Sequence, residues 1–190
     1  KTCLADARSA YRWIREHAKE YNIDPDRIVV VGGSAGAHLS LGLLTLSMDG
    51  IDNEGDNLET PIDPKALILY NPAIDLVDGW KGGQKKCVAA GLDPKLFSPA
   101  HGVKPGIPDT LILSGSDDHV ISPRMINGFV KRMEDQGNEA SFIEYPDVGH
   151  GFFSYGKEKY KGAYFITTCE EVERFLTARG FMENKPQAGK

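Results

Sequence analysis

A chain of 190 residues that is 41% hydrophobic and 26% charged has the composition of a globular domain and enough apolar material for a buried core. Its net charge of -5 comes from 22 basic and 27 acidic residues interspersed along the sequence, so no basic face can neutralise a phosphate backbone and nucleic acid is excluded as a partner. No apolar run approaches the roughly 20 residues of a membrane-spanning helix, and Cys3, Cys87 and Cys169 are too far apart and odd in number for a disulfide framework or a zinc cluster.

The chain opens on Lys1, with neither an initiator Met nor a signal-peptide pattern, so a trimmed chain is expected and no compartment is assigned. Leu4, Ala7, Tyr11, Ile14, Ala18 and Tyr21 recur in steps of three and four, which predicts an amphipathic helix over 2–21. Asp24-Pro25 marks a turn. Ile28 to Val31 is an unbroken β-branched run, the pattern of a strand buried on both faces of a parallel sheet. Gly32-Gly33 breaks it, and Ala35 to Met48 reads as a second helix. The acidic stretch Asp49 to Asp63 misses the spacing of an EF-hand loop and reads as a solvated connection rather than a calcium site.

Ala66 to Tyr70 is a second strand, ended by Asn71-Pro72. Residues 73–108 lack sustained periodicity and read as an irregular insertion of a length that is usually functional or disordered, with Trp80 and Phe97 either lining a pocket or packing ordinarily. Thr110 to Leu113 is a third strand. Ser122-Pro123 is an N-cap with Pro at the first helical position, Met125, Ile126, Phe129, Val130 and Met133 form a helical stripe, and Gly137 stops it. Ala140 to Tyr145 is a fourth strand. A last helix over 162–179 should bury Phe165, Cys169, Val172, Phe175 and Leu176, followed by a frayed tail over 183–190. Strands alternating with helices predict an α/β fold: one domain over 1–190 with a mostly parallel sheet and helices on both faces.

The chemistry centres on Gly32-Gly33-Ser34-Ala35-Gly36, which follows a buried strand and precedes a helix. That is the setting of a nucleophile elbow, a tight turn that holds the serine in a strained conformation. Small residues at Gly32 and Gly36 would let neighbouring segments approach. The hydroxyl then sits at a helix N-terminus, with the Ala35 N–H as an oxyanion donor. A serine hydroxyl needs a base. His17 lies on the first helix, His38 one turn past the serine and pointing away, His101 in the irregular stretch, and His119 beside two aspartates. His150, in Gly149-His150-Gly151 just past the fourth strand, lies at the sheet edge where ligand groups of open α/β sheets gather, and is the candidate base. Asp117 and Asp118, just past the third strand, are both candidates for the orienting acid, and spacing does not separate them.

These segments resemble the catalytic C-terminal part of α/β-hydrolase esterases and lipases, of the hormone-sensitive-lipase-like and acetyl-esterase-like branches. The helix Ala5 to Ile14, the elbow block Asp24 to Leu39, the acid block Leu111 to Asp118 and the histidine block Tyr145 to Phe152 stand in the family's order. The family places its acid three residues after the glycine, so the resemblance selects Asp118. It implies a serine ester hydrolase with the triad Ser34, Asp118 and His150, half of an oxyanion hole at Ala35, no metal, no cofactor, and a small-molecule ester as substrate, acetyl esters of carbohydrates included. Prolyl-oligopeptidase-like peptidases share the Ser, acid, His order, and a silent hydrolase fold acting as a binding module is the reading from another class. The family's upstream His-Gly-Gly-Gly-like loop is absent, as are the strands that should flank Ile28 to Val31. A piece of a longer protein is therefore expected, with an exposed apolar edge if that strand has no second neighbour.

Overall fold

Four short strands pair in register as a parallel sheet of order β1-β2-β3-β4: β1 (Val29–Gly33), β2 (Ala66–Tyr70), β3 (Thr110–Gly115) and β4 (Ala140–Tyr145). The computed structural model describes residues 1–156, 159 and 162–183. The chain divides into a unit from Lys1 to Gly151, which carries this sheet, and a second from Phe152 to Lys190. Ala66, Leu67, Ile68 and Leu69 of β2 are all fully buried, as are Leu111, Ile112 and Leu113 of β3. Side chains alternate between sheet faces, so burial of consecutive residues means that both faces of these strands are covered.

One face is explicit. Leu67, Leu69 and Ile112 pack with Ala37 and Leu41 of α2 (Ala35–Thr45) and with Ile126, Phe129 and Met133 of α4 (Pro123–Asp135). The stripe expected on α4 is the buried one, and Ser122 caps the helix by accepting from the Arg124 N–H. Helix α1 (Thr2–Glu16) lays Leu4 and Tyr11 against Leu43 and Leu46. Among the described residues no helix is long and apolar enough to cross a membrane.

Several expectations are corrected. The first helix ends at Glu16 rather than residue 21, because Asn22 turns left-handed (φ 53°) and the Ile23 N–H bonds back to the Ala18 carbonyl. Tyr21 is exposed beside Trp13, which also stacks on His17 at 4.2 Å. β1 is not buried on both faces: it sits at the sheet edge with β2 as its neighbour among the described residues, and Val31 is 57% exposed. α2 stops at Thr45, with Leu46 extended. The stretch 73–108 is not irregular throughout: it holds α3 (Lys81–Ala89) and 3-10 turns at Pro94–Phe97 and Pro99–His101. Trp80 packs against the core and lies over Gly82 and Gly83.

In the second unit, α5 (Ala163–Ala178) exposes Phe165 and Cys169 and buries Thr168 and Phe175. Its buried stripe is turned relative to the expected one because Tyr164 packs edge-on to Phe152 at 5.6 Å, which fixes 164, 168 and 175 as the inner face. The expected frayed tail lies, from residue 184 onward, outside the described residues.

The acidic loop is also more than a solvated connection. Arg8, Arg12 and Arg15 lie along one face of α1 and pair with Asp52, Asp56 and Asp63. The carboxylates that could have suggested a cation site meet guanidinium groups instead.

Candidate active site

Ser34 stands between β1 and α2 with φ 55° and ψ -114°, a strained conformation for a residue other than glycine. Three backbone bonds hold it there: its N–H donates to the Tyr70 carbonyl (2.8 Å), and its carbonyl accepts from the His38 N–H (3.2 Å) and the Ala73 N–H (3.3 Å). The turn is tight enough that a Cβ on Gly32 would lie 2.5 Å from the backbone of Gly36. Gly36 contributes differently from the expectation. Its backbone is the group approached, and its own Cβ direction is open.

His150 reaches this serine from the loop after β4. Its Nε2 lies 2.8 Å from Ser34 Oγ and its Nδ1 lies 2.8 Å from Asp118 Oδ2. The carboxylate dictates the tautomer, so Nδ1–H donates to Asp118 and the Nε2 lone pair faces the serine hydroxyl. The loop comes this close because position 115 is glycine: a Cβ there would lie 2.0 Å from the Val148 carbonyl oxygen. The loop is further pinned by the Asp117 N–H on the Val148 carbonyl and the Asp147 N–H on Ser116 Oγ. About a quarter of the imidazole is accessible (28%), whereas the Asp118 side chain is fully buried.

The two aspartates after β3 are thereby told apart. Asp117 is exposed, and Asp118 is enclosed by donors. Asp118 Oδ1 accepts the backbone N–H groups of Val120 and Ile121 (2.8 and 2.9 Å), and Oδ2 accepts Asn71 Nδ2 (2.7 Å) beside His150 Nδ1. Four donors replace the hydration that burial removes. Ala35 is the first residue of α2, where helical N–H groups have no partner within the helix, and it is exposed beside the serine.

The other histidines have different places. His38 turns away from Ser34 as expected and bonds through Nδ1 to the Ala73 carbonyl; burial, the main cause, holds its pKa below the ordinary 6.5, against the pull of that bond. His119 is exposed, and His101 Nε2 lies 3.1 Å from buried Asp75. Among the described residues Asp75, Asp78 and His101 bring three potential metal donors within 4.8 Å of one another. Asp75 is already committed: Oδ1 accepts the N–H groups of Val77 and Asp78, and Oδ2 meets Arg132 and His101. The group reads as an anchor for the 73–103 segment. Neither Asp75 nor Asn71 stood out in the sequence; the available signal for Asn71 was its position at the end of a strand lying between the strands that lead to Ser34 and Asp118.

A family model, BD-FAE, matches residues 1–133. The chain belongs to the BD-FAE family. This BD-FAE chain is 30% identical over 160 residues to the acetylxylan esterase of Xylanibacter ruminicola, covering 78% of itself and 31% of that protein. It also superposes on esterase 2 of Thermogutta terrifontis phosphonylated by sarin with a TM-score of 0.85 at 30% identity, covering 96% of itself and 68% of that chain. The propionate-bound form of the same esterase gives 0.82 at 31% identity, with 97% and 67% covered. The α/β-hydrolase fold is thus established, while the BD-FAE chain spans about a third of the acetylxylan esterase and two thirds of esterase 2.

Proposed function

We propose that this chain carries the catalytic centre of a carboxylic ester hydrolase for small acyl esters, acetyl esters of carbohydrates among them, with Ser34 as nucleophile, His150 as base and Asp118 as orienting acid. The observation that carries the reading is the continuous hydrogen-bonded line from Asp118 through His150 to Ser34, with the serine strained at a helix N-terminus. The names of the similar proteins, an acetylxylan esterase and an esterase bound to propionate, support the substrate class.

Ser34 Oγ attacks the ester carbonyl carbon as its proton passes to His150 Nε2, and the carbonyl π pair moves onto oxygen. Buried Asp118 holds the imidazole in the accepting tautomer and stabilises the imidazolium. The oxyanion forms next to the Ala35 N–H, at the positive end of α2. Its collapse breaks the bond to the alcohol, which leaves with the proton from Nε2. Water, deprotonated by the same nitrogen, then attacks the acyl-enzyme and releases the acid and free Ser34. No step calls on a metal or an organic cofactor.

An organophosphate such as paraoxon tests the nucleophile without requiring turnover. One adduct is expected, on Ser34 by peptide mass spectrometry, and none in Ser34→Ala or His150→Ala. Hydrolysis of p-nitrophenyl acetate should fall by roughly 10^3-fold or more in Ser34→Ala. A folded chain that gains no adduct on Ser34 overturns the assignment. Ser34-dependent cleavage of a proline amide in preference to the acetate would replace the esterase reading with a peptidase.

A further inference from the structure

We infer that Asn71 is a positioning residue for the acid–base pair: its amide holds the Asp118 carboxylate in the rotamer that presents Oδ2 to His150, an inference that rests on the triad proposed above. Three observations carry it. Asn71 Nδ2 donates to Asp118 Oδ2 at 2.7 Å and to Ser114 Oγ at 3.1 Å, so both amide protons are used. Its Oδ1 is buried with no hydrogen-bond partner among the described residues. Leaving an amide oxygen unsatisfied in the interior is costly, and the opposite amide orientation would aim that oxygen at a carboxylate. The backbone of Asn71 is also left-handed, with φ 41°. A fully buried residue that combines a left-handed backbone with an orphaned acceptor is more than filler at the end of a strand.

The place in the fold gives the reason. β2 lies between β1, which leads to Ser34, and β3, which leads to Asp118. Residues 70–73 touch both: the Tyr70 carbonyl accepts the Ser34 N–H, Ala73 N–H donates to the Ser34 carbonyl, and Asn71 reaches across to Asp118. Among the described residues, the donors to the Asp118 carboxylate are the Val120 and Ile121 N–H groups on Oδ1, and Asn71 with His150 on Oδ2. Asn71 is the neutral donor that shares an oxygen with the imidazole. It limits rotation of the carboxylate and draws off part of the charge that stabilises the imidazolium.

Two substitutions separate this from a backbone role. Asn71→Gly keeps the left-handed backbone but removes the donor. Asn71→Asp keeps size and backbone tolerance but replaces the donor by a second carboxyl, which can restore the hydrogen bond only while protonated. In Asn71→Gly, the rate of Ser34 phosphorylation by paraoxon is expected to fall about tenfold to hundredfold at its pH plateau, as for loss of a hydrogen bond to a charged group. The acid limb of its rate profile should move to higher pH. In Asn71→Asp, the rate relative to the parent should approach one at the acid end and drop steeply as pH rises. An acid limb and plateau rate unchanged in folded Asn71→Gly overturn the inference while leaving the triad intact. If Ser34→Ala is labelled as fast as the parent, the triad itself has failed. Equal loss at all pH values in both variants marks Asn71 as structural and likewise overturns the positioning role.

Discussion

A methyl group at position 32 would sit 2.5 Å from the carbonyl carbon and oxygen of Gly36 and from Ser40 Oγ, and only the last of these could give way by rotating. Gly32→Ala must therefore push β1 away from the first turn of α2, with Ser34 between them. An overpacking cost of about 1–3 kcal/mol is expected in a urea titration. The loss of organophosphate labelling should exceed what that fraction unfolded explains, because the shift falls on the serine itself. Retained stability with full labelling would mean that the elbow is slacker than its geometry. At this scale the sequence is most informative where chemistry and conformation are local. Gly32 to Gly36 and Gly149 to Gly151 each announce a turn and the reactive side chain it carries, and the structure brings His150 within hydrogen-bond distance of both Ser34 and Asp118. In the sequence Asn71 is only the stop of a strand, because its partner lies 47 residues away.

Between elements, the same contrast decides which features were legible. β2 and β4 keep the expected limits, Ala66–Tyr70 and Ala140–Tyr145: β2 is an unbroken apolar run, β4 carries exposed Ser141 and Glu144, and turn residues bound both. α5 turned its inner face away from the expected stripe because a single aromatic contact, Tyr164 on Phe152, outweighs the modest difference between the two faces. The pairing of the acidic loop is hidden in the sequence for a related reason. Asp52, Asp56 and Asp63 look solvated until the Arg8, Arg12 and Arg15 face of α1 is laid beside them, 40 or more residues away in sequence. Arg12 is the centre of that clamp. It is 5% exposed and bonds Asp52 (2.6 Å), Asp56 (3.1 Å) and the Thr60 carbonyl (3.3 Å). Arg12→Ala leaves Asp56 without its guanidinium and Asp52 with Arg8 alone, so a loss of about 3 kcal/mol is expected, at the lower end for breaking a buried pair. Arg12→Lys should recover only part of it, because one ammonium cannot span all three acceptors. Urea midpoints of the two variants measure this directly, and equal midpoints for parent and Arg12→Ala would return the loop to a merely solvated connection.

For the molecule as a whole, these buried charges set how stability varies with pH. Burial, the largest influence on Asp75, pushes its pKa up, but the N–H groups of Asp78 and Val77, then Arg132 and His101, outweigh it and the net direction is down. Asp52 is held low chiefly by Arg8, with Arg12 adding to it against burial. A carboxylate depressed by folding lends stability that is complete above its ordinary pKa of 3.8 and is lost as pH falls through the folded value. His38 acts earlier. Burial favours its neutral form, so below its ordinary 6.5 the unfolded chain binds a proton that the folded chain refuses, and stability declines from there downward until the folded value is passed. Tyr11 closes the other side: burial raises its phenol above the ordinary 10.0 despite Arg15, so above pH 10 the unfolded chain releases a proton that the folded chain keeps, and stability falls as pH rises. The expected curve is a plateau between about pH 7 and 10, a first decline beginning near pH 6.5 and a steeper one below about pH 4. Urea midpoints measured across this range distinguish the contributors. His38→Gln, which can keep a donor for the Ala73 carbonyl but cannot be protonated, should abolish the first decline and leave the second in place. If the parent and His38→Gln decline together from pH 6.5, the early proton enters elsewhere, and the half-buried imidazole is not what limits the fold in mild acid.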